Sequence, residues 1–242
     1  SITMVGKAIT FLIPLYMQVI QGRNSLQTAV AMIPYQLAVL AAAILVVRLY
    51  GRMSPRRIAR HAFAIVILGT LLLAMIIRNT WDDWYVVLGL LLVGLGQGAL
   101  ATLLFNVLVT SAPTEFAGDV GALRGTVSNL AGAVGTAVAG ALVIGILSAN
   151  IQRALIDNPT IPSALISKVD LDNVRFVSND RLLDMMSRTT ATSEQMDAAL
   201  EINADARVRA LKVTFLLLTC LGLLAFVPAG RLPDYKPDEV PG

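Results

Sequence analysis

The chain has 242 residues, of which 56% are hydrophobic and only 14% charged, with a formal net charge of +3. Soluble domains carry about 25% charged residues, so this composition, with a mean hydropathy of +0.71, excludes an ordinary soluble globular protein. One cysteine, Cys220, excludes an intrachain disulfide, and a single histidine, His61, leaves little material for a metal centre or a nucleophile–base pair.

Six apolar segments approach the ~20 residues that a ~30 Å hydrocarbon core requires, at roughly 2–21, 27–49, 61–78, 84–111, 121–148 and 209–229. The expected fold is all-α and polytopic. Residues 1–148 hold transmembrane helices one to five, 149–207 form an extracytoplasmic loop with helical segments, 208–230 form the last transmembrane helix, and 231–242 form a cytoplasmic tail. The first segment opens at Ser1 without an initiating methionine, which leads to the expectation of a fragment. Pro14 and Pro34 fall within spans one and two and are expected to kink them.

Short-loop charges set the orientation. Arg48, Arg52, Arg56, Arg57 and Arg60 crowd the second link without an acid among them, so that link is expected on the cytoplasmic side, with PTEFAGD and the tail. Trp81, Trp84 and Tyr85 fall where an interfacial aromatic belt belongs. The long loop is acidic on balance, with nine acids against six bases over 150–207. It reads either as a solvated cap or as a surface for a substrate or partner. From Ser193 the sequence is helix-prone and runs without a breaker into the last span.

Polar groups inside lipid are costly when unpaired, and they supply the candidate functional residues. Gln18 and Gln21 lie in span one, Gln27 and Gln36 in span two, Gln97 and Asn106 in span four, and Asn129 in span five. They either line a polar cavity or make pairwise interhelical hydrogen bonds. Lys7 precedes Gln21 by fourteen residues, about 21 Å along a helix, so it either snorkels to the cytoplasmic headgroups or faces a wet cavity and binds an anionic group. At the mouth of span five, Asp119 is favoured by the helix N-terminus. With Arg124, Arg52, Arg56 and Arg57 it is the candidate for a cytoplasmic latch.

Span five carries small residues every fourth position. Ser128, Gly132, Thr136 and Gly140 form one row; Gly121, Gly125, Asn129, Ala133, Ala137, Ala141 and Gly145 form the next. Residues four apart share a helix face, so two adjacent faces are nearly bare and expect other helices against them. Gly94, Gly98 and Thr102 repeat the pattern in span four, and Gly135 adds to it in span five. No HExxH, GxSxG or P-loop lysine motif occurs, and GLGQG at 94–98 lacks any βαβ context. The chain is expected not to be an enzyme, and no cofactor, metal or nucleic-acid partner is expected.

Three stretches carry a family resemblance. FLIPLYMQVIQGRNSLQTAVAMIP at 11–34, LYGRMSPRR at 49–57 and PTEFAGDVGALRGTVSNLAGAVGTAVAG at 113–140 resemble the C-terminal half of a major facilitator superfamily transporter, most closely the fourteen-helix drug:proton antiporter branch. The resemblance implies a six-helix bundle in the cell membrane that pairs with an N-terminal half and exchanges amphipathic or drug-like molecules for protons by alternating access. The basic loop departs from the family pattern, since no acid precedes Arg52 and Ser54-Pro55 interrupts it. The branch's proton-coupling acids belong to the N-terminal half. The alternative is a non-transporting scaffold or regulatory module whose outer loop binds a partner.

Overall fold

The structure is a computed structural model that describes residues 2–50, 52–78, 84–110, 117–157, 178–188, 191–230 and 232. Trp81, Asp82, Asp83, most of the PTEFAGD turn, residues 158–177 and the tail from 233 lie outside the described residues. The described chain is helical and contains six stretches long and apolar enough to cross a membrane, as the sequence leads one to expect. It is a multi-pass membrane protein.

Span one is α1 (Ile2–Leu15) continued by a π-helical turn, Tyr16–Ile20. Pro14 has no N–H to donate and crowds the carbonyl four residues back, and the wider turn that follows is a common accommodation. Gly22 then reverses the chain at φ 63°, a left-handed conformation that a side chain disfavours. Asn24 caps α2 (Ser25–Ala31): its Oδ1 accepts the Gln27 amide at 2.8 Å, and Gln27 Oε1 accepts the Asn24 amide at 3.0 Å. Gln27 is therefore a capping residue rather than a cavity residue. The break between α2 and α3 (Ile33–Tyr50) falls at Met32, two residues before Pro34.

Pro55 starts α4 (Pro55–Ile76) from an extended Ser54, the position where its missing N–H costs nothing. Then come α5 (Trp84–Thr110) and α6 (Ala117–Asp157), a short α7 (Asn179–Ser187), and α8 (Ser193–Ala229), which Thr192 and Gln195 open with a reciprocal capping box. At 1.5 Å per residue, α6 and α8 are about 60 and 55 Å long, well beyond a ~30 Å core. The fifth helix thus runs past residue 148 and the last begins well before 208. The described parts of 149–207 are largely extensions of these two helices, which pack on each other.

α5 packs on both α3 and α4, α4 on α8, α8 on α6, and α6 on α1. Contacts between α1 and α5, and between α5 and α6, are sparse. The helices therefore close a ring on one side and leave a gap between the α1–α6 pair and the α3–α5 pair. Where they do pack, glycines set the spacing. A Cβ on Gly98 would lie 2.4 Å from Val39 O, one on Gly94 2.5 Å from Tyr35 O, and one on Gly135 2.6 Å from Met4 O. With lipid as apolar as the side chains, such close backbone packing supplies much of the association energy. Hydroxyls also bridge helices: Thr219 Oγ1 meets Thr70 Oγ1 at 3.0 Å between α8 and α4.

Candidate functional site

The gap between the helix pairs is a cavity of ≈ 840 Å³. Thr3, Gly6, Lys7 and Thr10 line it from α1, and Tyr35, Gln36 and Val39 from α3. Gln97, Ala101, Leu104, Val107 and Leu108 contribute from α5; Val120, Leu123, Arg124, Val127 and Ser128 contribute from α6, with Leu232 at one end. The wall is mainly apolar, with a few convergent polar groups, the usual make-up of a small-molecule site.

Gln97 fixes the depth of the site. It stands thirteen residues from either end of α5, at the middle of the helix, and is 8% exposed. Its side chain occupies the space that a Cβ on Gly6 would take, 2.5 Å from Oε1. Gly6 being bare is what lets Gln97 lie across α1. Lys7, the next residue, is therefore also near mid-depth, and its stem runs over Gly132 of α6, with Cγ 3.2 Å from the position of a Cβ there. Lys7 is exposed and lines the cavity.

Of the candidate cavity residues, the structure brings together Lys7, Gln36 and Gln97 and leaves the others elsewhere. Gln18 is exposed. Gln21 donates through Nε2 to the Tyr16 hydroxyl at 3.2 Å, and that hydroxyl donates to the Arg78 carbonyl, tying the end of α1 to the end of α4. Asn106 is partly buried on α5 but off the lining, and its carbonyl accepts the Thr110 hydroxyl at 2.8 Å. Asn129 is exposed on the opposite side of α6 from the lining row.

The five latch candidates do not assemble among the described residues. Arg52, Arg57 and Asp119 are exposed. Arg56 Nε donates to the Leu232 carbonyl at 3.2 Å and so holds the chain just after α8. Arg124 places its guanidinium carbon 4.7 Å from the centroid of the Phe105 ring, a cation–π distance. It faces the cavity, and no ion pair joins it to Asp119 among the described residues.

The two small-residue rows of α6 separate cleanly. Gly132 is buried, and Ser128, Thr136 and Gly140 are partly buried toward α1 and the cavity. Every member of the second row, Gly121 to Gly145, is exposed. A Cβ on Gly121, Gly125 or Gly145 would meet nothing within 4 Å. The expected packing on both faces is thus met on one face only within this chain.

Sequence reading missed two features. Thr3, Lys7 and Thr10 recur at spacings of four and three, a polar stripe on one face of α1 that marks the cavity wall. Arg207 falls in the stretch read as loop, yet it is 1% exposed on α8. Its guanidinium donates to the carbonyls of Asn203 at 3.1 Å and Val19 at 3.2 Å and to Asn179 Oδ1, joining α8, the π-helical turn and α7. An arginine in an acidic, helix-prone stretch gives no sequence signal of that burial.

Residues 1–136 match the family model described as Major Facilitator Superfamily, a stretch that holds all the cavity-lining residues except Leu232. The chain is also similar to the "Probable actinorhodin transporter" of Streptomyces coelicolor, 24% identical over 261 residues that cover 96% of this chain and 44% of that protein. It spans less than half the length of that curated relative.

Proposed function

Because the chain belongs to the major facilitator superfamily, we propose that it forms the C-terminal half of a secondary transporter exporting amphipathic or drug-like small molecules in exchange for protons. The observation that carries this reading is the cavity between α1, α3, α5 and α6, with Lys7 and Gln97 near mid-depth and apolar walls around them. Membrane transporters place substrate sites near the midplane, between bundles that rock against each other. The family, and the name of the relative, point to a transporter rather than an enzyme. Gln36 joins Lys7 and Gln97 as a substrate-contacting residue.

In this reading the partner is an N-terminal bundle, and the exposed row of α6, from Gly121 through Gly125 and Asn129 to Gly145, faces it as a close-packed sliding seam. The proton step is assigned to that bundle, since no described cavity-lining residue is a carboxylate. The Arg-rich link at 52–60 sets the orientation, with the start of α6 and the tail on the cytoplasmic side of the cell membrane.

The test is reconstitution of the complete transporter in proteoliposomes with an imposed pH gradient. Lys7→Ala and Gln97→Ala are expected to lower substrate flux or change substrate range. If both leave flux and range as in the unmodified protein, the cavity assignment is wrong. If flux is unaffected by the gradient, proton coupling is wrong while transport stands.

A further inference from the structure

Resting on the transporter reading above, we infer that the cavity takes an amphipathic organic anion. Two cations, Lys7 and Arg124, line it, and no described lining residue is acidic. Neither cation makes an ion pair among the described residues. Asp119, five residues before Arg124, is exposed and off the lining.

The surroundings hold both cations in place for a ligand. A lysine at membrane depth is costly unless it meets water or a partner, and Gly132, lacking a Cβ, leaves room for the Lys7 stem to lie along α6. Arg124 rests with its guanidinium carbon 4.7 Å from the centroid of the Phe105 ring. A guanidinium carries five N–H donors and suits a carboxylate or sulfonate. Lys7 lies beside Gly132, eight residues along α6 from Arg124, so the two stations are about 12 Å apart along the helix. Leu104, Leu108 and Val127 line the same cavity and give it an apolar wall for a ring system. An organic cation in the same place meets two like charges and no counter-charge among the described lining residues.

The two xanthene dyes fluorescein and rhodamine 6G share a ring framework and carry opposite charge at neutral pH, so they isolate the effect of sign. Their equilibrium binding to the complete transporter, in nanodiscs of zwitterionic phosphatidylcholine, is read by fluorescence anisotropy. Fluorescein is expected to bind at least about tenfold more tightly, the effect of roughly one charge-assisted hydrogen bond. Lys7→Gln and Arg124→Gln should each weaken fluorescein by about tenfold without weakening rhodamine 6G. Lys7→Arg and Arg124→Lys, which keep the charge, should retain most of the affinity and control for misfolding.

Equal binding of the two dyes, preference for rhodamine 6G, or indifference of fluorescein to both glutamine variants overturns the inference. Indifference together with a lowered thermal midpoint shows that carboxylates of the second bundle neutralise the two cations instead. Flux of the same dyes into proteoliposomes reads the transport function separately. Charge-selective binding without any flux leaves the anion site standing and removes the transporter reading; flux of rhodamine 6G alone does the reverse.

Discussion

The contrast between the buried and exposed glycines gives the sharpest test of the packing. A Cβ at Gly98 would sit 2.4 Å from the Val39 carbonyl oxygen and 2.8 Å from its Cα; one at Gly135 would sit 2.6 and 2.7 Å from Met4 O and Cα. These are backbone atoms on a neighbouring helix, so no rotamer change relieves them. Restoring ordinary contact, which begins at 3.4 Å, requires α3 and α5, or α1 and α6, to separate by about 1 Å, the scale on which overpacking costs about 1–3 kcal/mol. Gly→Ala also gains up to ~1 kcal/mol of helix propensity. That term is common to Gly125→Ala, where the new methyl meets nothing within 4 Å, so the difference between variants isolates the packing. Gly98→Ala and Gly135→Ala should therefore melt about 2–12 °C below Gly125→Ala, using ~2–4 °C per kcal/mol for a chain of this size. The assay is the temperature at which half the purified protein is lost from the monodisperse peak on size exclusion. Equal midpoints for the three variants would refute the claim that these glycines set the helix spacing.

In the complete transporter, Gly125→Leu should leave the folding of this chain unchanged but lower flux severalfold, since its face is assigned to the seam; full flux would remove the seam from α6. Arg207→Met strips hydrogen bonds from Val19 O, Asn203 O and Asn179 Oδ1. At about 1–3 kcal/mol for a buried group left unpaired, it should destabilise the chain by about 3 kcal/mol and speed hydrogen exchange across 179–187; unchanged exchange there would show that Arg207 does not dock α7. A double-mutant cycle on Thr70→Ala and Thr219→Ala should return a coupling of only about 0.6 kcal/mol, as is typical of interhelical hydrogen bonds in lipid. A coupling above about 2 kcal/mol would mean that the hydroxyl pair does more than bridge α4 and α8.

The sequence is most legible where one dimension suffices. Apolar run length places all six spans, and the four-residue spacing of small side chains in α5 and α6 locates helix faces that can approach a backbone. It cannot say which neighbour covers a face. The rows beginning at Ser128 and Gly121 look alike as strings, yet one lies toward α1 and the other is exposed along its length among the described residues. Relative height is a similar case. Counting from Gln21 gives the height of Lys7 within α1, and the seating of Gln97 on Gly6 sets it beside the middle of α5. That level is a property of two helices together, and no pattern within one of them encodes it. Gln27 and Arg207 show a third limit. An amide three residues after Asn24 is a capping partner before it is a cavity group, and a basic residue in a polar stretch is buried only because three carbonyl oxygens from different elements converge on it.

α6 alone carries all the surfaces that the proposed cycle needs. Val127 and Arg124 face the cavity, Gly132 and Gly135 hold α1 and the Lys7 stem, and Gly125 and Asn129 face away from the bundle. A ligand bridging Lys7 and Arg124 would therefore grip α1 and α6 at once, on the side of α6 opposite the face proposed to meet a second bundle. Binding shifts an equilibrium between two bundle arrangements only by its difference in affinity for them. The contact between α1 and α6 is where that difference has to arise, because a shift of one helix on the other changes the separation of the two cations. Bare faces make such a shift inexpensive: Gly132 and Gly140 offer α1 no side chain to climb over. Coupling between site and seam thus needs no relay through other residues, and variants that lock α1 to α6 should abolish exchange while leaving anion binding in place.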